Sequence, residues 1–132
     1  MKYLLDTNIC IYVIKRRPPK AFERFKRHRV GAIGISAVTY SELCFGVANS
    51  AAPERNQLAL TEFVAPLEVF PYQPDIAPIY GRLRAELTRK GTPIGPLDML
   101  IAAHALYLGV VLVTNNVAEF SRISVLKVEN WT

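Results

Sequence analysis

Apolar residues come in short blocks separated by polar punctuation. The first block, Tyr3 to Leu5, stops at Asp6. A second set, Ile9, Ile11, Val13 and Ile14, reads as the core side of a helix over residues 8–15, and residues 2–5 read as a strand. Pro18 and Pro19 restart the chain into a short basic helix carrying Phe22 and Phe25 three residues apart. "VGAIGIS" (30–36) reads as a strand and "AVTYSELCFGVA" (37–48) as a helix. After Pro53, residues Leu60, Phe63, Val64 and Leu67 keep the i, i+3, i+4, i+7 spacing of a helix. "LEVFPY" (67–72) is a short strand. Ile76, Ile79, Leu83 and Leu87 mark an amphipathic helix that Gly91 ends. "TPIGP" is a loop, and Pro96 opens a helix that runs to Leu108 and closes at Gly109. "VVLVT" (110–114) is a strongly apolar strand, Glu119 and Phe120 lie in a short turn or helix, and "VLKVE" (125–129) is a last strand.

Strands that alternate with helices, and that are apolar on both faces, predict an α/β fold with a mainly parallel central sheet flanked by helices. The length of 132 residues suits one domain, residues 1–132. No repeat, low-complexity tract or linker interrupts it. In such sheets, sites form where the carboxyl ends of strands lead into helices.

The composition narrows the class. A hydrophobic share of 51% argues against disorder. The apolar start is broken by Asp6 and has no basic region or small-residue cleavage site, so no signal peptide is expected. No run reaches the ~18 uncharged apolar residues of a membrane span, and a cytoplasmic location without a membrane partner is expected. Cys10 and Cys44 are isolated among apolar residues, which predicts buried reduced thiols rather than a zinc site. The net charge of +5 is unevenly placed. Lys15, Arg16, Arg17, Lys20, Arg24, Lys26, Arg27 and Arg29 supply eight of the sixteen basic residues, opposed only by Glu23, and the rest of the chain carries about −2. A concentrated positive run is the footprint of a polyanion partner such as nucleic acid, or else a solvated helix face.

The acids carry the chemistry. Each has a local explanation: Asp6 as a helix cap, Glu42 in a T-x-x-E capping box with Thr39, Asp98 in a helix first turn, Glu119 in a box with Asn116. As a set they say more. Asp6 and Asn116/Glu119 follow strands, Asp98 opens a helix, and Glu42 lies within the helix after strand 30–36. These positions can converge on one sheet edge. Carboxylates brought that close need a cation or a shared proton. Hard divalent ions bound by oxygen serve this purpose and support phosphodiester chemistry by lowering the pKa of water and stabilising the attacking and leaving oxygens. His28 sits in the basic run and His104 on an apolar helix, so neither points to a histidine base.

"LLDTNICIYVIKRRP", "IGISAVTYSELCFGV", "PIGPLDMLIAAHAL" and "LVTNNVAEF", in this order and at these spacings, make the chain similar to PIN-domain ribonucleases of the VapC type, the toxins of type II toxin–antitoxin pairs. The resemblance covers essentially the whole chain. It implies that Asp6 and Asp98 hold one Mg²⁺, or Mn²⁺ in its place, with Glu42 orienting or activating the water. The last family acid falls in "TNNVAEF", where Asn116 stands in place of the Asp of some members and Glu119 is the nearest acid; either can complete the pocket. Thr7, Asn8 and Thr114 would position the carboxylates, and Asn8 equally suits a helix-start position. The resemblance further implies cleavage of structured RNA, with tRNA prominent, and inhibition of translation. It implies inactivation by a VapB-type antitoxin whose tail folds over the toxin, a toxin homodimer, and promoter DNA bound only through the antitoxin.

Two other classes fit less well. A haloacid-dehalogenase phosphatase needs a second Asp two places after Asp6, where Asn8 stands, and a receiver domain needs adjacent acids. A non-catalytic RNA-binding PIN module would have lost an acid, and Asp6, Glu42 and Asp98 are all present.

Overall fold

The computed structural model describes residues 1–29 and 31–132. Its elements run β1 (Tyr3–Leu5), α1 (Thr7–Lys15), α2 (Pro19–Lys26), β2 (Ile33–Ser36), α3 (Ala37–Ala48), α4 (Pro53–Val64), β3 (Glu68–Phe70), a 3-10 turn (Pro74–Ile76), α5 (Ala77–Arg89), α6 (Pro96–Leu108), β4 (Val111–Val113), α7 (Val117–Phe120) and β5 (Val128–Glu129). The strands form one five-stranded sheet, ordered β3-β2-β1-β4-β5, and every recorded pairing is parallel. The expected α/β class and parallel sheet are therefore present.

All five expected strands are longer in the sequence pattern than in the structure, 2–5 and 110–114 by only one and two residues. Strand 30–36 is ordered as β2 from Ile33, with Val30 outside the described residues. Strand 67–72 shortens to Glu68–Phe70, and 125–129 to Val128–Glu129. β3 and β5 are edge strands, paired on one side only, so ladder hydrogen bonds stop where the single neighbour ends.

The sheet is covered on both faces. Tyr3, Leu5, Ile35 and Val113 face a core shared with α1, α3 and α4, including Ile9, Val13, Leu43 and Leu60. Leu4 and Leu112 face the opposite core with Leu83, Leu87, Met99 and Ala102 of α5 and α6. Period-two alternation along β1 thus feeds two cores at once. Gly34 is where β2 meets its neighbours most tightly: a Cβ there would come within 2.8 Å of the Phe70 ring and 2.9 Å of the Glu68 carbonyl oxygen. Gly109, in the left-handed region at φ 68°, closes α6 and turns the chain into β4.

The carboxyl-terminal tail is tied back to α2. Trp131 is 1% exposed and stacks on His28 with ring centroids 5.0 Å apart. Its indole N–H donates to Glu129 Oε1 at 3.0 Å, and Arg24 donates to the same oxygen at 3.1 Å. Replacing this buried indole leaves a cavity against Tyr3. Trp131→Ala is expected to cost about 3–5 kcal/mol, read as a fall in the urea midpoint followed by far-ultraviolet circular dichroism.

Candidate functional site

β1 is the centre of the sheet, and the chain builds outward from it in both directions, to β2 and β3 on one side and to β4 and β5 on the other. The crevice beyond the carboxyl ends of β1 and β4 is therefore the topological switch point, the place where parallel sheets bind ligands. Asp6 occupies it. Its backbone N–H donates to the Val113 carbonyl at 2.9 Å, extending the β1–β4 ladder by one step. That step sets Thr114 beside Asp6, and the Thr114 hydroxyl donates to Asp6 Oδ2.

Asp6 is also the cap of α1, its Oδ1 accepting from the Ile9 N–H at 3.1 Å. The local and the convergent readings are both true of this residue. Burial raises its pKa above the ordinary carboxylate value; the Thr114 hydroxyl and the Ile9 and Asn8 N–H groups oppose that rise, and Glu42 adds to it.

Glu42 reaches the site from α3. The cap of that helix is Ser36, whose Oγ accepts from the Val38 N–H at 3.1 Å, and Thr39 is fully buried with no hydrogen-bond partner for its hydroxyl. A Thr39–Glu42 capping box is thus not formed, because the helix is capped at Ser36, three residues before Thr39. Glu42 instead accepts from the Thr7 hydroxyl at 2.7 Å.

Asp98 stands in the first turn of α6, where the helix dipole favours an anion. Its pKa is nonetheless raised to about 6, by burial first, then by the charge of Glu119 and a hydrogen bond with it, then by Asp6 and Glu42. The other three expected acids thus lie near enough to Asp98 to disfavour its charge. Asn116 donates to Glu119 Oε2 at 2.9 Å, and Glu119 Oε1 accepts from the Gly95 N–H at 3.4 Å. Asn116 holds Glu119 rather than replacing it.

Asn8 takes the helix-start place, in the first turn of α1. Its side chain faces Asn115, with the nitrogen 3.5 Å from Asn115 Oδ1, and only its backbone serves Asp6. Asn115 in turn donates to the Tyr12 hydroxyl at 3.0 Å. Neither Asn115 nor Tyr12 was expected at the site. The available signals were the position of Asn115 directly after Thr114 and the four-residue spacing of Asn8 and Tyr12 on one helix face.

His104 is a core residue, 1% exposed, with Nδ1 2.8 Å from Ser36 Oγ. Cys10 is buried as expected, and burial pushes its thiol well up. Cys44 is only half-buried, at a recess between α3 and α4. Both thiols are free.

The basic run does not form one patch. Arg24 is committed to Glu129 and to the face of Trp131, 5.5 Å from the ring centroid. Arg16 and Lys26 lie against the Phe22 ring at 4.5 and 4.9 Å. Lys15 borders an apolar groove of about 260 Å³ between α1, α3 and α4, lined by Ile11, Ile14, Leu43, Gly46 and Leu60, with Glu42 in its wall. Ile11 and Ile14, expected in the core, are the half-buried wall of this groove. Arg17 and Lys20 are exposed, as are Arg27 and Arg29.

The donor set at the crevice is all oxygen, which suits a hard divalent cation. Among the described residues none of the four acids pairs with a lysine, arginine or histidine, so their mutual repulsion has no counter-charge within the chain. Also among the described residues, no group of three or more acids, cysteines or histidines is placed to hold a metal ion by itself. The residues fit an open site, with one or two carboxylates and water completing the shell, which is how Mg²⁺ is commonly held.

A parallel sheet with an acidic, oxygen-only crevice at its switch point is an arrangement that can take a hard divalent cation. Comparison with known proteins gives the family. The PIN domain matches residues 3–126. The tRNA(fMet)-specific endonuclease VapC of Salmonella typhimurium is 46% identical over 131 residues, spanning 99% of this chain and 98% of the relative. Ribonuclease VapC2 of Haemophilus influenzae is 45% identical over the same shares. Among solved structures, DNA-bound VapBC from Salmonella typhimurium superposes with a TM-score of 0.93 at 45% identity, covering 100% of this chain and 99% of that one. VapBC2 from Rickettsia felis, bound to a promoter fragment, gives 0.91 at 39% identity with both chains fully covered. The chain belongs to the PIN-domain family, within its VapC ribonuclease branch.

The raised pKa of Asp98 has a consequence for stability. The folded protein holds a proton there that the unfolded chain releases near the ordinary value of about 4. Between that value and about 6 the native state binds more protons, so stability falls as pH rises through this window. Melting in the presence of a chelator is expected to show a lower Tm at pH 6.5, about half a unit above that window, than at pH 4.5, about half a unit inside its lower end. Asp98→Asn is expected to flatten that slope.

Proposed function

We propose that the chain is a metal-dependent endoribonuclease toxin of the VapC type, hydrolysing phosphodiester bonds in structured RNA, with tRNA its main target, and thereby inhibiting translation. One observation carries the reading: four carboxylates without counter-charges act on one another at the switch point of a PIN domain. The names of close relatives, a tRNA(fMet)-specific endonuclease and a ribonuclease, support the substrate class.

Asp6 and Asp98 would hold Mg²⁺, with Mn²⁺ able to stand in. Bound there, the ion supplies a water of lowered pKa and neutralises charge that builds on the phosphate. Asp6 is fixed for this by Thr114 and by its own role as helix cap, so its carboxylate needs no reorganisation when substrate arrives. Glu42, steadied by Thr7, orients the attacking water and accepts its proton. The water oxygen bonds to phosphorus as the bond to the leaving sugar oxygen breaks, and that oxygen is protonated from solvent. Glu119, held by Asn116, keeps Asp98 in place and raises the negative potential that attracts the cation. Of the 15–29 run, the exposed Arg17, Lys20 and Arg27 contact the RNA backbone.

A VapB-type antitoxin is the proposed partner, and structures of relatives as VapBC complexes support it. The groove beside Glu42 has what a folding tail requires: apolar walls for its nonpolar side chains and a carboxylate for a basic one. On the same reading the toxin forms a homodimer and meets promoter DNA only through the antitoxin. Among the described residues no helix is long and apolar enough to cross a membrane.

Two experiments test these readings. Asp6→Asn or Asp98→Asn is expected to lower Mg²⁺-dependent cleavage of tRNA by at least about 100-fold while leaving the circular dichroism spectrum unchanged. Cleavage at the wild-type rate under matched metal would refute the metal site. A Cβ at Gly46 meets nothing within 4 Å, so Gly46→Leu is tolerated by the helix and fills the groove. It is expected to weaken antitoxin binding at least tenfold, about 1.4 kcal/mol, with RNA cleavage by the free toxin retained; unchanged affinity would place the antitoxin elsewhere.

A further inference from the structure

Lys26, His28 and Arg29 stand apart from the carboxylates. They rim a recess of about 350 Å³ at the starts of β2 and β3, where Ile33 and Leu67 lie. In a parallel sheet that is the end opposite Asp6, across the full length of the strands and the loops at both of their ends. The recess has an apolar base of Phe25, Pro66 and Leu67, and no acid is among its described lining residues. Phe25 is held by Phe63 at a centroid distance of 5.7 Å. The His28 ring is fixed before any ligand arrives, stacked on Trp131 and tilted against Tyr3 at 4.7 Å.

We propose that this recess is a second substrate subsite, which takes an unpaired nucleotide of the RNA that the carboxylate crevice cuts. A simple anion would need only the cationic rim. The apolar and aromatic base is what a nucleobase adds, since every base has a flat face and stacks without regard to sequence. The volume lies within the range of about 300–1,000 Å³ usual for small-ligand pockets. Lys26 and Arg29 are both exposed on the rim, Lys26 in a surface pair with Glu23 at 3.4 Å that a phosphate can displace. The proposal rests on the ribonuclease reading above and extends it: a folded RNA engages both ends of the sheet, whereas a short one reaches only the crevice. It also explains why half of the basic residues lie in a run whose later members face away from the acids.

The test has two arms. In the first, AMP, adenosine and inorganic phosphate are titrated into the metal-free full-length protein. Binding is followed by NMR signals of His28 and Leu67 and by fluorescence of Trp131, the sole tryptophan and the stacking partner of His28. AMP is expected to bind at least about tenfold tighter than either fragment, and the double variant Lys26→Ala/Arg29→Ala to abolish the response. Phosphate binding as tight as AMP, or a response confined to residues around Asp6, overturns the proposal. In the second arm, the double variant is expected to raise KM for whole tRNA about tenfold with kcat unchanged, and to reduce the salt slope of binding by roughly two. It is expected to leave cleavage of a short hairpin spanning only the scissile bond unaltered. Equal KM for both proteins on tRNA overturns the subsite. A wild-type protein that cleaves no RNA refutes the ribonuclease reading instead, and the AMP arm still decides whether the recess binds a nucleotide.

Discussion

The Asp6 N–H donates to the Val113 carbonyl at 2.9 Å, one step beyond the last residue of β1. Everything at the crevice is placed by that bond. It carries the β1–β4 ladder past the strand end, so the two chains leave the sheet side by side. The Thr114 hydroxyl then reaches Asp6, and the next two residues, Asn115 and Asn116, reach Tyr12 and Glu119. Leu4, Leu5, Leu112 and Val113 beneath it are fully buried, which makes the mount rigid. A one-residue slip of β4 would bring Val113 opposite Asp6 and turn an apolar side chain toward a buried carboxylate.

The electrostatic load is shared unequally. Asp6 lies deeper, yet a hydroxyl and two backbone N–H groups offset its burial. Asp98 is less deeply set, but each of its acidic neighbours pushes the same way, and its hydrogen bond with Glu119 favours the protonated form. The strain of gathering four acids therefore falls mainly on the Asp98–Glu119 side. Such concentrated repulsion lowers stability for the sake of a site, the usual exchange at functional centres. A cation placed between Asp6 and Asp98 would relieve the side that the fold leaves unrelieved.

Much of this was legible in the sequence because it depended on local pattern. Alternating apolar blocks gave the α/β class, and helices over 37–48 and 96–108 fell where Ser36, Pro96 and Gly109 set them. The acids were found because each follows a strand or opens a helix. What the sequence could not display were relations between distant segments. Thr39 and Glu42 have the spacing of a capping box, but Ser36 starts the helix earlier and frees Glu42 for Thr7, 35 residues away. Asn8 has the chemistry to hold a carboxylate, yet its side chain is drawn to Asn115, 107 residues on. Edge strands shortened because a strand with one neighbour has half the hydrogen bonds to hold its ends.

The basic run shows the same limit in its charges. Eight cations within fifteen residues invite a single patch, but a charge is available to a ligand only after its partners within the fold are counted. Arg24 is spent on Glu129 and Trp131, Lys26 meets Glu23 at 3.4 Å, and Arg16 lies on Phe22. α1 also carries the chain away from the carboxylate edge before α2 begins, because Asp6 caps its start. Cations that follow in sequence must then lie toward the far end of the sheet, where β2 starts. Acid and base are thus separated along the strand axis rather than set side by side. A polyanion drawn to the far end would be held there by its backbone while another part of it met the crevice. That arrangement favours substrates long and stiff enough to span the sheet, which is the physical property that distinguishes a folded RNA from a short strand.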